Sequence, residues 1–130
     1  MESTLKKWHE FFATKNPAIL NELLTKDVVF HSPVVWKPQE GKMITTAYLL
    51  AAMKVFAADD TGFQYVGEVS NEQRAVLEFT CVIDDITING VDIIDINEEG
   101  KITSFKVMIR PLKAVNKIHK KMAEMLEQMK

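Results

Sequence analysis

The residue in this sequence best placed to do chemistry is Asp92, which lies in a strand-like segment at residues 86–96. Because successive residues of a strand point to opposite faces, one face of this segment carries Asp92 in line with four isoleucines. An ionised carboxylate buried without a partner is costly, so the group must find hydrogen-bond donors or take up a proton. We therefore predict a pocket acid at Asp92, the alternative being an ordinary buried carboxylate satisfied by Trp8 or a backbone amide.

Two further polar residues, His31 and Ser32, lie at the end of a short apolar segment, just before Pro33. A histidine has an ordinary pKa near neutrality, so His31 is a candidate general base, although strand alternation turns it away from Phe30 and Ser32. A serine before a proline is typical of a turn, and Ser32 could instead bind a polar atom of a ligand. Adjacent strand residues diverge, so Ser32, His31 and Asp92 do not make a nucleophilic triad.

The three histidines and the single cysteine do not form a recognisable metal or thiol site. His9, His31 and His119 lack the spacing of metal ligands, and no glycine-rich phosphate-binding loop occurs. Cys81 lies on the apolar face of its strand without a neighbouring cation, which is typical of an inert buried thiol. The sequence therefore predicts no metal and no cofactor.

The composition is typical of one globular domain over residues 1–130, with 47% hydrophobic and 26% charged residues in 14.8 kDa. A net charge of −2 and a pI near 5.9 disfavour nucleic acid and anionic membranes as partners. The apolar runs fall far short of the ~20 residues that span a bilayer, and the N-terminus lacks an apolar signal region. With one cysteine beside seven methionines, we expect a cytoplasmic protein.

Helical periodicity dominates the first part of the chain, and strand alternation dominates the second. Ser3 or Thr4 is expected to cap a first helix, and Asn16 with Pro17 to begin a second. A short edge strand is predicted at residues 28–31, followed by a loop at 34–41 in which Trp36 suggests a lid or a partner contact. Residues 42–58 are apolar nearly all round, which indicates a helix buried on more than one side.

Four strands follow at residues 63–69, 74–84, 86–96 and 101–110, and their short connections predict antiparallel pairing. Pro111 opens a final helix, so that residues 111–130 form a helical extension whose methionine-rich face could close a cavity, cover a sheet edge or meet a second subunit. These elements predict an α+β protein in which helices pack on one face of a curved, mainly antiparallel sheet, with an additional C-terminal helix.

This order of elements resembles the nuclear transport factor 2-like superfamily, in particular its SnoaL-like branch, which is related to ketosteroid isomerases and polyketide cyclases. The most specific part is the segment in which Asp92 is followed by alternating apolar residues and an acidic turn ending in Gly100, Lys101 and Ile102. The resemblance extends to about Arg110 and implies a cone-shaped α+β barrel.

In ketosteroid isomerases an aspartate acts as base, while a tyrosine and a protonated aspartate stabilise the oxyanion. By resemblance, Asp92 matches the oxyanion aspartate, whereas Ser32 falls on the base position and Trp8 on the tyrosine position. A serine of ordinary pKa is no base at neutral pH, and an indole only donates. The steroid isomerase mechanism is therefore doubtful.

The resemblance also implies the lining of the cone, although core packing explains the same residue types equally well. We expect a small apolar organic ligand with Asp92 as polar anchor and, if there is turnover, proton transfer beside a carbonyl. The alternative is a non-catalytic dimeric interaction module with a self-filled cone. Because proteins of this superfamily commonly dimerise through the outer sheet face, the resemblance implies a homodimer, and Val76, Val82, Ile93 and Met108 are apolar residues suited to that face. The lining set is Trp8, Phe12, Phe30, Ser32, Phe56, Leu77, Phe79, Ile94, Phe105, Val107 and Ile109.

Overall fold

A computed structural model of the chain describes residues 1–129. It contains the predicted helices and strands in the predicted order, together with one short additional strand. The bounds of these elements are α1 (Glu2–Thr14), α2 (Pro17–Leu23), β1 (Leu24–His31), β2 (Gln39–Glu40), α3 (Lys42–Phe56), β3 (Gln64–Ser70), β4 (Arg74–Ile83), β5 (Ile86–Ile96), β6 (Ile102–Arg110) and α4 (Leu112–Gln128).

The strands form one six-stranded sheet in the order β2-β1-β6-β5-β4-β3. The contact between β1 and β6 is parallel and the other neighbouring pairs are antiparallel, which confirms the mainly antiparallel α+β fold. The sheet is open, with β2 and β3 at its two edges, so the cone is not a closed barrel.

The prediction that residues 28–31 form an edge strand is wrong. Residues 39–40, which we expected in a loop, form β2 and pair with Val29 and Phe30 of β1. This pairing covers one side of β1, while β6 covers the other.

The two N-terminal helices begin differently. The start of α2 is confirmed, because Oδ1 of Asn16 accepts a hydrogen bond from the backbone N–H of Ala18 at 3.0 Å. The predicted cap of α1 is wrong, since the helix begins at Glu2 after Met1 and has no side-chain cap. The hydroxyl of Thr4 instead donates to the backbone carbonyl of Gly100 at 2.6 Å and ties α1 to the turn between β5 and β6.

One face of the sheet is buried under the helices. Alternate residues of β4 and β5 point into this face, among them Leu77, Phe79 and Asp92, as alternation predicts. Strict alternation would turn Ile102 away from the side of Phe105, but a register shift after Asp95 reverses it and buries Ile102 completely.

Three helices cover the buried face with aromatic and aliphatic side chains. Trp8 of α1 packs on Phe105, and Phe56 of α3 packs on Phe79. Buried positions occur on several sides of α3, which confirms the prediction for this helix. The third, α4, packs against α3 and β6. No helix within residues 1–129 is long and apolar enough to cross a membrane.

Candidate functional site

Two cavities lie between the helices and the sheet, and we call them the inner and the outer cavity. The inner cavity has a volume of about 30 Å³ and the outer cavity about 160 Å³. Ala52, Phe56 and Val107 line both, so the cavities share a wall. The inner cavity is lined by Trp8, Phe12, Leu49, Ala52, Met53, Phe56, Phe63, Tyr65, Phe79, Asp92, Phe105 and Val107. The outer cavity is lined by Phe30, Ser32, Pro33, Val34, Val35, Tyr48, Ala52, Phe56, Val107, Ile118, His119, Met122, Ala123 and Leu126.

A chain of two hydrogen bonds runs along the wall of the inner cavity. The indole Nε1–H of Trp8 donates to the hydroxyl oxygen of Tyr65 at 3.0 Å, and the Tyr65 hydroxyl donates to Oδ2 of Asp92 at 2.6 Å. The chain therefore joins α1, β3 and β5. The second carboxylate oxygen of Asp92, Oδ1, accepts no hydrogen bond from residues 1–129.

The pairing of the strands explains how Tyr65 reaches Asp92. Tyr65 pairs with Phe79 across β3 and β4, and Phe79 pairs with Gly90 across β4 and β5, so all three face the helices. Gly90 lies two residues before Asp92 on the same face. It has no side chain, and a Cβ there would meet Cζ of Phe79 at 2.5 Å, so the glycine makes room for the Phe79 ring beside the site.

Burial changes the acidity of both groups in this pair. It raises the pKa of Asp92 to about 7, and the hydrogen bond from Tyr65 opposes that rise in part. Burial also raises the pKa of Tyr65 well above its usual value, with the charge of Asp92 and their hydrogen bond acting in the same direction. Near neutral pH, Tyr65 therefore stays a donor while Asp92 exchanges between its acid and carboxylate forms.

This arrangement can perform two kinds of chemistry at one carboxyl group. Protonated Asp92 can donate a hydrogen bond or a proton to an oxygen of a bound molecule, and ionised Asp92 can accept one. The surrounding wall is aromatic, with ring centroids of Phe12 and Phe63 at 4.8 Å and of Phe63 and Phe79 at 5.2 Å. Such a wall suits a largely apolar molecule.

The structure brings together about half of the predicted site. Asp92 shares the inner cavity with Trp8, Phe12, Phe56, Phe79, Phe105 and Val107, whereas Phe30 and Ser32 line the outer cavity. Leu77, Ile94 and Ile109 line neither cavity within residues 1–129, because the first two are fully buried core residues and Ile109 is half-buried in β6.

His31 and Ser32 are not placed beside Asp92. His31 ends β1 opposite Lys106 and is absent from both linings among the described residues. The hydroxyl oxygen of Ser32 accepts a hydrogen bond from the backbone N–H of Val34 at 3.1 Å, which is the turn chemistry expected before Pro33. The alternative prediction, in which Trp8 donates a hydrogen bond directly to Asp92, is wrong. Trp8 donates to Tyr65 instead, and Tyr65 donates to Asp92.

Three polar residues that line the cavities were not predicted as site residues from the sequence: Tyr65, Tyr48 and His119. The alternation of Phe63 and Tyr65 in the predicted strand at 63–69 was a signal that could have placed Tyr65 on the apolar face. Tyr48 was not predicted because it lies in a helix that is apolar nearly all round, where its position alone does not indicate a cavity. His119 left no signal, because a single histidine on an amphipathic helix is usually a surface residue.

The structure offers no metal centre and no reactive thiol in the part of the chain that it describes. Residues 1–129 contain no group of three or more His, Cys, Asp or Glu placed to hold a metal ion. Burial raises the pKa of Cys81 to about 11, which keeps the thiol protonated and confirms its burial on the apolar face of β4.

The fold and this buried acid in an apolar cavity define the class of protein. A family model of the SnoaL-like domain matches residues 5–105, and the chain belongs to this family. The match ends within β6, so α4 lies outside the matched residues.

Solved structures show the same fold along nearly the whole chain. A steroid delta-isomerase from Pseudomonas aeruginosa is 27% identical with a TM-score of 0.90, and the alignment covers 98% of this chain and 92% of that one. A bacterial protein with a cystatin-like fold from Silicibacter pomeroyi is 29% identical with a TM-score of 0.85, covering 95% and 85%. An NTF2-like protein from Mesorhizobium loti, at 17% identity, 85% and 90% coverage and a TM-score of 0.72, shares the fold. A search of the curated proteins found no match.

Proposed function

We propose that this protein binds a small, largely apolar organic molecule through one oxygen atom that meets Asp92 in the inner cavity. The observation that carries the proposal is the Asp92 carboxyl group, which is buried among aromatic rings, bonded to Tyr65 through one oxygen and unbonded at Oδ1 among the described residues. An apolar cavity with a single polar anchor is the usual form of a site for such molecules.

The sizes of the cavities restrict how the molecule binds. The inner cavity, at about 30 Å³, is the smaller of the two and would take the oxygen-bearing end of the molecule. The rest of the molecule would extend past Ala52, Phe56 and Val107, which line both cavities, into the outer cavity of about 160 Å³. Met53 also lines the inner cavity, and its flexible side chain can move to enlarge that space.

If the bound molecule reacts, the chemistry that fits best is proton transfer beside a carbonyl, as in isomerisation, cyclisation or dehydration. Asp92 in its acid form would stabilise the developing oxyanion by donating a hydrogen bond. The likeness to a protein described as a steroid delta-isomerase supports this reaction class. The geometry supports neither Ser32 nor His31 as the base, because neither lines the inner cavity in the described chain.

Trp8 provides a direct test, because its indole lines the inner cavity and bonds to Tyr65. In a Trp36→Phe background it is the remaining tryptophan, so its fluorescence reports on the cavity. The probes are 5-methyl-1-indanone, here the neutral ketone, and 5-methylindane, its matched hydrocarbon. Since a hydrogen bond is typically worth ~1 kcal/mol, the ketone is expected to bind about fivefold more tightly below pH 7.

The pH dependence of binding identifies the donor. A ketone oxygen only accepts hydrogen bonds, so its affinity should fall as pH rises through about 7 and Asp92 ionises. Asp92→Asn should remove this dependence, whereas Asp95→Asn, on the opposite face of β5, should keep it. Equal affinities for ketone and hydrocarbon, or a failure of both to bind, would contradict the proposal.

The second candidate is a dimeric interaction module whose cone is filled by its own side chains. It is favoured by the small inner cavity and by exposed apolar residues on the face of the sheet opposite Asp92, among them Val69 of β3, Val82 of β4 and Met108 of β6. The occupant of this face would be a second copy of the chain. Sedimentation should then show a dimer that Val82→Lys converts to a monomer. The control variant Val35→Lys, at the outer cavity, should leave the dimer intact. A monomeric wild-type protein would exclude this second candidate.

A further inference from the structure

The outer cavity contains polar groups whose hydrogen-bonding capacity is unused. The Ser32 oxygen accepts from Val34, but its hydroxyl proton has no acceptor among residues 1–129. The Tyr48 hydroxyl and the His119 ring likewise make no hydrogen bond within the described chain. All three residues line the same cavity, whose other lining residues are apolar.

One wall of this cavity comes from α4, beyond the residues that match the family. Ile118, Met122 and Leu126 contribute its apolar part, and the exposed His119 lies beside them. The helix is held in place by buried Ala114 and Ile118, and by Lys117 and Lys121, whose ammonium groups lie 3.3 and 3.4 Å from Oδ2 of Asp84. The position of His119 is therefore defined by the packing of α4.

The types of group in the outer cavity indicate what they would bind. Ser32 and Tyr48 can donate through their hydroxyl groups, and His119 through its ring N–H. Among residues 1–129, no Asp or Glu lines the cavity, so no negative side chain there repels an anion. None of the Lys and Arg residues in this range lines it either, which disfavours a phosphate. A carboxylate is small, only accepts hydrogen bonds and can take several donors at once.

The shared wall joins the outer cavity, with its three polar side chains, to the site of Asp92. Val107 lines both cavities and pairs directly with Asp92 across β5 and β6. A molecule with its ketone oxygen at Asp92 would therefore extend past Val107 towards Ser32, Tyr48 and His119.

We propose that the outer cavity is a second subsite, which binds the carboxylate of a compact apolar keto acid through His119, Tyr48 and Ser32. This inference rests on the proposed function, since the ketone end occupies the inner cavity. It makes His119 a specificity-determining residue that α4 adds to the SnoaL-like domain.

The test compares 1-oxoindane-5-carboxylate, the keto acid, with the neutral ketone, which carries a methyl group at the same position. Both are titrated against Trp8 fluorescence in the Trp36→Phe background. The keto acid is expected to bind about tenfold more tightly, the gain typical of hydrogen bonds to a charged group. His119→Leu should abolish this advantage, and Tyr48→Phe should reduce it.

Two control variants separate a specific contact from general electrostatics and from misfolding. Lys120→Gln removes a positive charge from the next residue of α4, which does not line the cavity, and should keep the tenfold advantage. His119→Gln retains a side-chain donor and should keep part of it. Because His119 is exposed, we expect all these variants to fold, which circular dichroism would verify.

The outcomes distinguish the two proposals. If the neutral ketone binds with the expected pH dependence but the keto acid gains nothing, or His119→Leu leaves its gain intact, the carboxylate subsite is wrong and the proposed function stands. If Lys120→Gln removes the gain as fully as His119→Leu, the effect is general electrostatics and the subsite is again wrong. If neither probe binds, both proposals fall.

Discussion

The inner and outer cavities differ in how their polar groups are satisfied. In the inner cavity, Trp8, Tyr65 and Asp92 bond to one another, and aromatic rings surround them. In the outer cavity, the side chains of Tyr48 and His119 form no hydrogen bond within residues 1–129, and the walls are mainly aliphatic. One region is therefore organised by internal hydrogen bonds, and the other keeps its donors available.

This difference has a physical consequence for each region. Mutual hydrogen bonding fixes the inner side chains. Burial raises the pKa of Asp92 against the opposing effect of the Tyr65 hydrogen bond, and a raised pKa is what a group that must donate at neutral pH requires. An exposed residue such as His119 can be replaced with little loss of stability. We therefore expect substitutions in the inner wall to affect folding, and those in the outer wall to affect ligand selection.

The largest effect should follow from removing an aromatic ring of the inner wall. Phe79 is 2% exposed and contacts the rings of Phe56 and Phe63, so Phe79→Ala should lower the free energy of unfolding by about 4 kcal/mol. Leu126→Ala in the outer wall should cost only about 1 kcal/mol, because Leu126 is half-buried. Urea denaturation measures both, and equal losses would contradict the distinction between the two walls.

The next largest effect concerns the pH dependence of stability. Asp92 has a pKa of about 7 in the folded protein against 3.8 ordinarily, so the folded state holds its proton more tightly than the unfolded state. Stability from this group is present at low pH and is lost as pH rises through 7. Between pH 5 and pH 8 the loss should be about 2.5 kcal/mol.

Asp92→Asn removes the titration and should therefore flatten this part of the stability profile. The matched variant Asp95→Asn alters an exposed ion pair with Arg74 on the opposite face of β5 and should retain the slope. Urea denaturation at both pH values provides the comparison. If wild type and Asp92→Asn lost stability in parallel, Asp92 would not be the buried acid described above.

A smaller effect is expected at Gly90, which leaves room for Phe79. A Cβ at this position would lie 2.7 Å from the backbone oxygen of Met108, which cannot move easily, so Gly90→Ala should cost about 2 kcal/mol. Gly67 is a matched control in β3, because its Cβ would meet Glu78 only at ordinary contact distances of 3.7 and 3.8 Å. Thermal or urea unfolding should therefore show little change in Gly67→Ala; similar losses in both variants would mean that Gly90 has no special packing role.

Much of the fold was predictable because it follows from local sequence patterns of capping residues and alternating side chains. Asn16 and Pro17 mark the start of α2 through capping chemistry, and alternation with short turns defines β4 and β5. Asp92 was predictable for the same reason, since a carboxylate on an apolar face breaks the pattern. β2 was missed because two residues are too short to leave a periodic signal.

The parts that were missed depend on contacts between distant residues. Tyr65 meets Asp92 only because β3, β4 and β5 pair in a particular register, with an irregularity between Tyr65 and Gly67. His119 reaches the outer cavity only because α4 packs back against α3 and β6. Neither the register nor the packing of a helix is encoded by the residues next to the side chain concerned. The ligand, the homodimer and the catalytic role of Asp92 stay predictions.

The smallest effect on stability should come from Trp36, which is 97% exposed and does not line the outer cavity. Trp36→Ala should change the free energy of unfolding by less than about 0.5 kcal/mol, since the ring buries almost no area. Its neighbours Val34 and Val35 line the outer cavity, so the same variant tests whether this segment is a lid. Calorimetric titration with the keto acid suits the test. Unchanged affinity would mean an open rim, whereas a fall of about tenfold, or ~1.4 kcal/mol, would show that Trp36 closes over the bound molecule.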